Sequence, residues 1–141
     1  MSLAAAEVGI LDTSTVVLFE RFDPTTLPRR SLITTVTLAE LSVGPLVADD
    51  VSERAVRQAR LQRAEADFDA LPFDDAAARS FGQVAAAIRR SGRKVGARSF
   101  DAMIAAIAVA NDLPLYTVNA SDFEGMDVLD LRSIAHPDKS A

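Results

Sequence analysis

Residues Ser99 to Val118 read "SFDAMIAAIAVANDLPLYTV". The first part, "SFDAMIAAIAVAND", predicts a helix that is hydrophobic all round, as a buried helix is. The second part, "LPLYTV", predicts a short strand that is apolar on both faces. Strands of that kind lie in parallel sheets covered by helices on both sides. The helix carries a single charge near its head, Asp101, in the first turn.

The same alternation runs through the rest of the chain. "VGILD" (Val8 to Asp12) reads as a buried strand followed by the helix-like "STVVLFERF". "FDPTTLPRR" carries two prolines and reads as a loop. "SLITTV" (Ser31 to Val36) is β-branched and reads as a second strand. A helix, "TLAELSVGPLVA", follows, broken or bent near Gly44-Pro45. "SERAVRQARLQRAEADFDAL" is amphipathic, with Val56, Ala59, Ala66 and Phe68 at helical spacing among charges. "LPF" (Leu71 to Phe73) reads as a candidate for a very short strand. "DDAAARSFGQVAAAIRRSG" predicts a helix with Asp74 as N-cap and Gly92 as stop. After "NASDFEGM" comes a last strand, "DVLDL". Strands alternating with helices predict an α/β fold, a three-layer α/β/α sandwich around a mostly parallel sheet. At 141 residues the chain is expected to form one domain over 1–141, with its core at about 8–131 and a short polar C-terminal tail.

Composition narrows the chemistry. There are no cysteines, which excludes disulfides, thiol nucleophiles and Cys-based zinc sites. The single histidine, His136, reads as solvated in the tail "SIAHPDKSA", which leaves no His triad or multi-His site. The N-terminus lacks a basic n-region, and Glu7 interrupts its apolar stretch, so a signal peptide is not expected. The longest apolar run, Ala102 to Ala110, is nine residues, whereas a membrane span needs ~20. A cytoplasmic protein without a membrane partner is expected. The net charge of −5 disfavours a general polyanion binder. Charge is nevertheless concentrated: "RRSGRKVGAR" holds Arg89, Arg90, Arg93, Lys94 and Arg98 with no acid between them. That run is either a solvated helix end or a hold for a phosphate backbone.

Four acids fall at junctions between elements: Asp12, Glu40, Asp101 and Asp122. Each has a local explanation. Asp12 could cap the helix after it. Thr37-Leu38-Ala39-Glu40 matches a capping box. Asp101 could complement a helix dipole, and Asp122 could hold a turn. In an open parallel sheet, however, ligands bind beyond the carboxyl ends of the strands, which places Asp12, Glu40 and Asp122 on one rim. Asp101 joins them if its helix packs across that rim. Clustered carboxylates repel unless a cation lies between them or some are protonated. An all-oxygen donor set suits Mg²⁺ or Mn²⁺, and metal-activated water at such a site points to phosphodiester hydrolysis.

"ILDTS", "TLAEL", "GARSFDAMIAAIA" and "LPLYTVNASDFEGM" follow one another in the order and rough spacing of PIN domains, and the chain most resembles the VapC-type toxins of bacterial toxin–antitoxin pairs over Val8 to Leu131. The resemblance implies a Mg²⁺- or Mn²⁺-dependent endoribonuclease acting on structured RNA such as tRNA or rRNA. It also implies a homodimer inhibited by a small antitoxin whose C-terminal segment covers the active site. By position, Asp12 and Asp101 match the family's first and third acids, and Glu40 and Asp122 the second and fourth. Thr13 and Ser14 match small hydroxyl residues supporting the ligand shell, and Asn119 matches a polar position near the site. Two other readings are a catalytically inactive PIN-like module binding RNA or protein, and a phospho-accepting receiver-like domain. The receiver chemistry needs a lysine near the acids, and the only lysines are Lys94 and Lys139.

Overall fold

The computed structural model describes residues 6–138. The first five residues of the N-terminal stretch and the last three of the tail, Lys139 included, lie outside the described residues. The strands are β1 (Val8–Leu11), β2 (Arg30–Thr34), β3 (Ala70–Leu71), β4 (Leu115–Thr117) and β5 (Leu131–Ser133). The helices are α1 (Thr13–Val17), α2 (Thr35–Leu46), α3 (Val51–Asp67), α4 (Asp75–Arg90) and α5 (Ser99–Ala110). The sheet has the order β3-β2-β1-β4-β5, and every pairing in it is parallel.

Side chains alternate across the sheet, as the two-residue period of a strand requires. Ile10, Leu32 and Leu115 join one apolar cluster with α4 and α5. Their neighbours Leu11, Ile33 and Tyr116 join a second cluster with Val16 of α1, Leu41 of α2 and Ala64 of α3. Helices therefore cover both faces, and the expected three layers are present. Burying a side chain such as Ile10, Ile33 or Ile104 fully contributes about 1.5–3 kcal/mol each.

The strand order places a topological switch point at β1. The chain winds outward from β1 through β2 to β3, then returns to lay β4 and β5 on the other side. Ligand sites of open α/β sheets form where the winding reverses, outside the strand carboxyl ends. The position of α5 follows from its connection. Four residues, 111–114, link α5 to β4. So short a link turns the helix back on the strand it feeds, and the amino end of α5 comes to lie at the carboxyl end of β4.

Several expectations shift in detail. The helix after β1 is only five residues long and passes into a 3₁₀ turn at Phe19–Arg21. The helix after β2 starts at Thr35, two residues earlier than expected, with Thr34 as N-cap accepting from the Thr37 N–H at 3.2 Å. It also continues through Pro45 and ends at the next residue. On α3 only Ala64 is buried; Val56, Ala59 and Ala66 are exposed, so the face predicted from their spacing is not a core face in this chain. The last strand begins at Leu131, where "DVLDL" ends, because Met126 to Leu129 close a turn by a 3.1 Å hydrogen bond from Leu129 N–H to Met126 O. Asp74 caps α4 as expected, through the Ala77 N–H at 3.0 Å, and Gly92 follows the helix at φ +85°.

Candidate active site

Asp12 lies at the end of β1 and is 3% exposed. Both of its oxygens are fully engaged. Oδ1 accepts from Thr15 N–H at 3.1 Å and from Thr15 Oγ1 at 2.5 Å. Oδ2 accepts from Ser14 Oγ at 3.0 Å and from Thr117 Oγ1 at 2.7 Å. The local explanation is thus correct, since Asp12 caps α1, but it is incomplete: Thr117 reaches Asp12 from the next strand. Two relays tie this carboxylate to the backbone beyond β4. Val118 N–H donates to Thr15 Oγ1 at 3.2 Å, and Asn119 N–H donates to Thr117 Oγ1 at 2.9 Å. Each hydroxyl receives one proton and passes its own to Asp12. A carboxylate accepting about four such bonds has its lone pairs filled and its orientation fixed.

Glu40 does not belong to a capping box. Because α2 starts at Thr35, Glu40 sits in its second turn and points to the rim. Its Oε1 accepts from Thr13 Oγ1 at 2.7 Å. Thr13 Oγ1 lies 2.9 Å from the buried Thr37 Oγ1. With Thr13 donating to Glu40, Thr37 donates to Thr13. Burial raises the Glu40 pKa; the Thr13 hydrogen bond opposes this, and the Asp12 charge adds to it.

Asp101 stands at the head of α5. Its pKa is pushed up to about 6, first by burial and then by Asp122, Glu40 and Asp12, with only Arg98 pulling it down. The charges of the other three acids singled out in the sequence thus reach Asp101. Asp122 is exposed on the 3₁₀ turn Ala120–Phe123, and Asn119 is exposed just before it.

Among the described residues, no three acidic or histidine side chains converge tightly enough to grip an ion unaided. The mutual repulsion on Asp101 nevertheless shows a surplus of negative charge with one nearby cation. These observations agree because charge acts over longer distances than ligation does. Mg²⁺ keeps several waters and takes only one or two carboxylates directly. The all-oxygen donor set and its uncompensated charge fit a hard divalent cation.

The basic run is not a free patch. Arg98 Nη1 donates to Ser121 O at 2.9 Å, Arg93 pairs with Glu124 at 2.9 Å, and Arg90 lies 3.8 Å from Asp127. These residues run antiparallel to the loop that carries Asp122. Gly125, at φ +86°, belongs to the same contact; a Cβ there would meet Ser91 Oγ at 2.4 Å. Arg89 and Lys94 are exposed and make no ion pair among the described residues. A cleft of about 930 Å³ between Pro24–Ser31 and Glu65–Asp69 holds none of the four acids.

Sequence reading missed Thr15, Thr37 and Thr117, all fully buried hydroxyls in this network.

No family model matches the chain. It is 41% identical over 122 residues to Ribonuclease VapC5 of Mycobacterium tuberculosis, an alignment covering 84% of this chain and 87% of that protein. Its structure is similar to that of a member of the VapBC family of toxin–antitoxin systems, VapBC-5, from the same organism, with a TM-score of 0.76, 37% identity, and coverage of 92% of this chain and 99% of that one. It is also similar to DNA-bound VapBC from Salmonella typhimurium, with a TM-score of 0.70, 27% identity, and coverage of 91% and 98%. With this identity over most of both sequences, and with a five-stranded, all-parallel sheet covered by helices on both faces, the chain belongs to the VapC family of PIN-domain ribonucleases.

Proposed function

We propose that this chain is the toxin of a VapBC-type pair, a cytoplasmic Mg²⁺- or Mn²⁺-dependent endoribonuclease that hydrolyses phosphodiesters of structured RNA such as tRNA or rRNA. One observation carries the chemistry: Asp101 is driven up to about 6 by its own burial and by Asp122, Glu40 and Asp12. Like charge gathered in this way favours a cation among the carboxylates. Asp12 and Asp101 would hold the ion, Asp12 by giving up the part-buried bond from Ser14 to its Oδ2, and Glu40 and Asp122 would complete its surroundings or orient water. A bound divalent ion supplies Lewis acidity to the phosphate and lowers the pKa of water.

The chain's own residues do the rest. Ser14, Thr15 and Thr117 fix the Asp12 carboxylate. Thr13 occupies Glu40 Oε1, which leaves Oε2 to accept a proton from attacking water. Glu40's raised pKa makes it a better base than an ordinary surface carboxylate. Arg89 and Lys94 are the cations free to meet an RNA backbone, with Arg90 and Arg93 at the edge of the same strip.

The remaining parts of the proposal are one PIN-like domain over 1–141, a homodimer, and a small antitoxin as partner. The solved relatives are VapBC assemblies. The end of α2, the turn after it and the start of α3 expose Val43, Leu46, Val47 and Val51, Leu46 and Val51 most at 82%, as a surface awaiting cover would. The test is cleavage of total tRNA and rRNA by purified protein with Mg²⁺ or Mn²⁺, beside Asp101→Asn. Wild type should cleave, lose activity in EDTA and outpace the variant. Equal cleavage by both would refute the role of Asp101.

A further inference from the structure

Arg98 occupies a position that local preferences disfavour. It is the N-cap residue of α5, where Ser, Thr, Asp or Asn normally supplies an oxygen to the first turn. Arg98 makes no side-chain cap. It also places a cation at the positive end of the helix dipole. Departures of this kind are compensated elsewhere when a residue has another task. Here the compensation is one contact: Nη1 donates to Ser121 O at 2.9 Å, 23 residues along the chain. Ser121 immediately precedes Asp122, and Arg98 precedes Asp101 by three. A single guanidinium thus spans the backbone of one acid and the helix head of the other.

We propose that Arg98 is a positioning residue that sets Asp122 against Asp101. The inference rests on the reading of Asp122 as part of the cation site. Arg93 and Arg90 hold the later half of the same loop through Glu124 and Asp127; the turn around Asp122 is closed by its own N–H to Asn119 O at 3.0 Å and anchored by the buried Phe123, and Arg98 is the basic side chain that meets it.

Charge alone predicts the opposite behaviour, which makes the proposal testable. Removing a cation beside a cation site should tighten metal binding. Removing a positioning residue should loosen it, by about tenfold, the lower end of the loss when an outer partner of a metal ligand is deleted. The experiment titrates Mn²⁺ into RNA-free wild type, Arg98→Ala, Asp122→Asn and the double variant. Amide exchange is followed over residues 120–123, and Arg98→Gln serves as a second neutral variant if Ala disturbs the turn. The expected result is weaker Mn²⁺ binding in Arg98→Ala, faster exchange at 120–123, and no further weakening when Arg98→Ala is added to Asp122→Asn. In RNA cleavage, kcat should fall with KM nearly unchanged. Mn²⁺ binding that is unchanged or tighter in Arg98→Ala overturns the proposal. So does an equal loss in the Asp122→Asn background, or a pure rise in KM, which would make Arg98 a phosphate contact. If Asp122→Asn itself binds Mn²⁺ like wild type, the reading of Asp122 fails, and with it the basis for Arg98.

Discussion

Asp101→Asn should stabilise the metal-free protein while removing its ability to be stabilised by metal. In the folded chain the carboxyl is pushed from 3.8 up to about 6. Between those values the folded state keeps a proton that the unfolded chain has lost, so stability falls as pH rises through the window. Below pH ~4 both states are protonated and the cost vanishes. At ~1.36 kcal/mol per pH unit the ceiling is about 3 kcal/mol. The side chain is only half-buried, so solvent screening brings this to about 1.5 kcal/mol. For a chain of this length that corresponds to about 4 °C in Tm. Thermal melts in EDTA from pH 4 to 8 should show the variant and wild type together at the acid end. The variant should lead by about 4 °C above pH ~6.5, given the same conversion. Saturating Mn²⁺ should reverse the order, since a ligand at about 100 times its Kd adds about 2.7 kcal/mol to the form that binds it. A variant less stable than wild type in EDTA at neutral pH would refute the reasoning, because it would make the carboxylate a structural partner rather than a repelled ligand.

The other expectations concern the groups around it. Thr117→Val removes a buried donor to Asp12 and should cost about 1–3 kcal/mol in denaturant unfolding, with a larger loss of activity than of stability. Ser14→Ala removes the most accessible of the four bonds to Asp12. It frees a lone pair, so Mn²⁺ should bind as tightly as in wild type or more tightly; calorimetric titration showing clearly weaker binding would contradict this. Gly125→Ala places a Cβ against Ser91 at φ +86° and should lower stability by about 1–3 kcal/mol, read from the urea midpoint, with RNA cleavage falling further as the Asp122 loop shifts.

How much of this site the sequence disclosed depended on residue type. The four acids were legible as a group: each alone has a local use in a cap, a dipole or a turn, but the alternation of strands and helices places them near one edge of the sheet. Asp12 shows that such a use and a functional one can coexist: the residue caps α1 and anchors the rim at once. Glu40 was legible as an acid but not in its surroundings, because Thr34-Thr35 reads equally as strand or helix start, and moving the start by two residues turns a capping partner into a rim carboxylate. Thr117 was invisible for the opposite reason. A β-branched residue in a buried strand is what the strand itself favours, so its hydroxyl carries no signal until Asp12 is seen beside it. On α3 the apolar spacing of Val56, Ala59 and Ala66 was real, yet these residues face outward in this chain. Helical periodicity reports that a face is apolar, not what covers it.

The basic run teaches the same lesson about charge. Five cations without an acid between them read as a phosphate hold, because sequence separates them from Glu124 and Asp127 by some thirty residues. Folding brings those acids alongside, and part of the positive charge is spent on the protein's own loop. The pairs are exposed, worth about 0–1 kcal/mol each, and a phosphate backbone carrying a full charge at each step competes for the same guanidinium groups. Arg98 differs because its acceptor is a neutral carbonyl, so the bond that holds it is not weakened by salt as an exposed ion pair is. A salt titration distinguishes the two kinds of contact. RNA affinity should fall with ionic strength, with a slope reflecting Arg89, Lys94 and their neighbours. The Mn²⁺ affinity lost in Arg98→Ala should stay lost at every salt concentration. If rising salt erased the difference between wild type and Arg98→Ala in Mn²⁺ binding, Arg98 would be acting through its charge and not through the bond it makes.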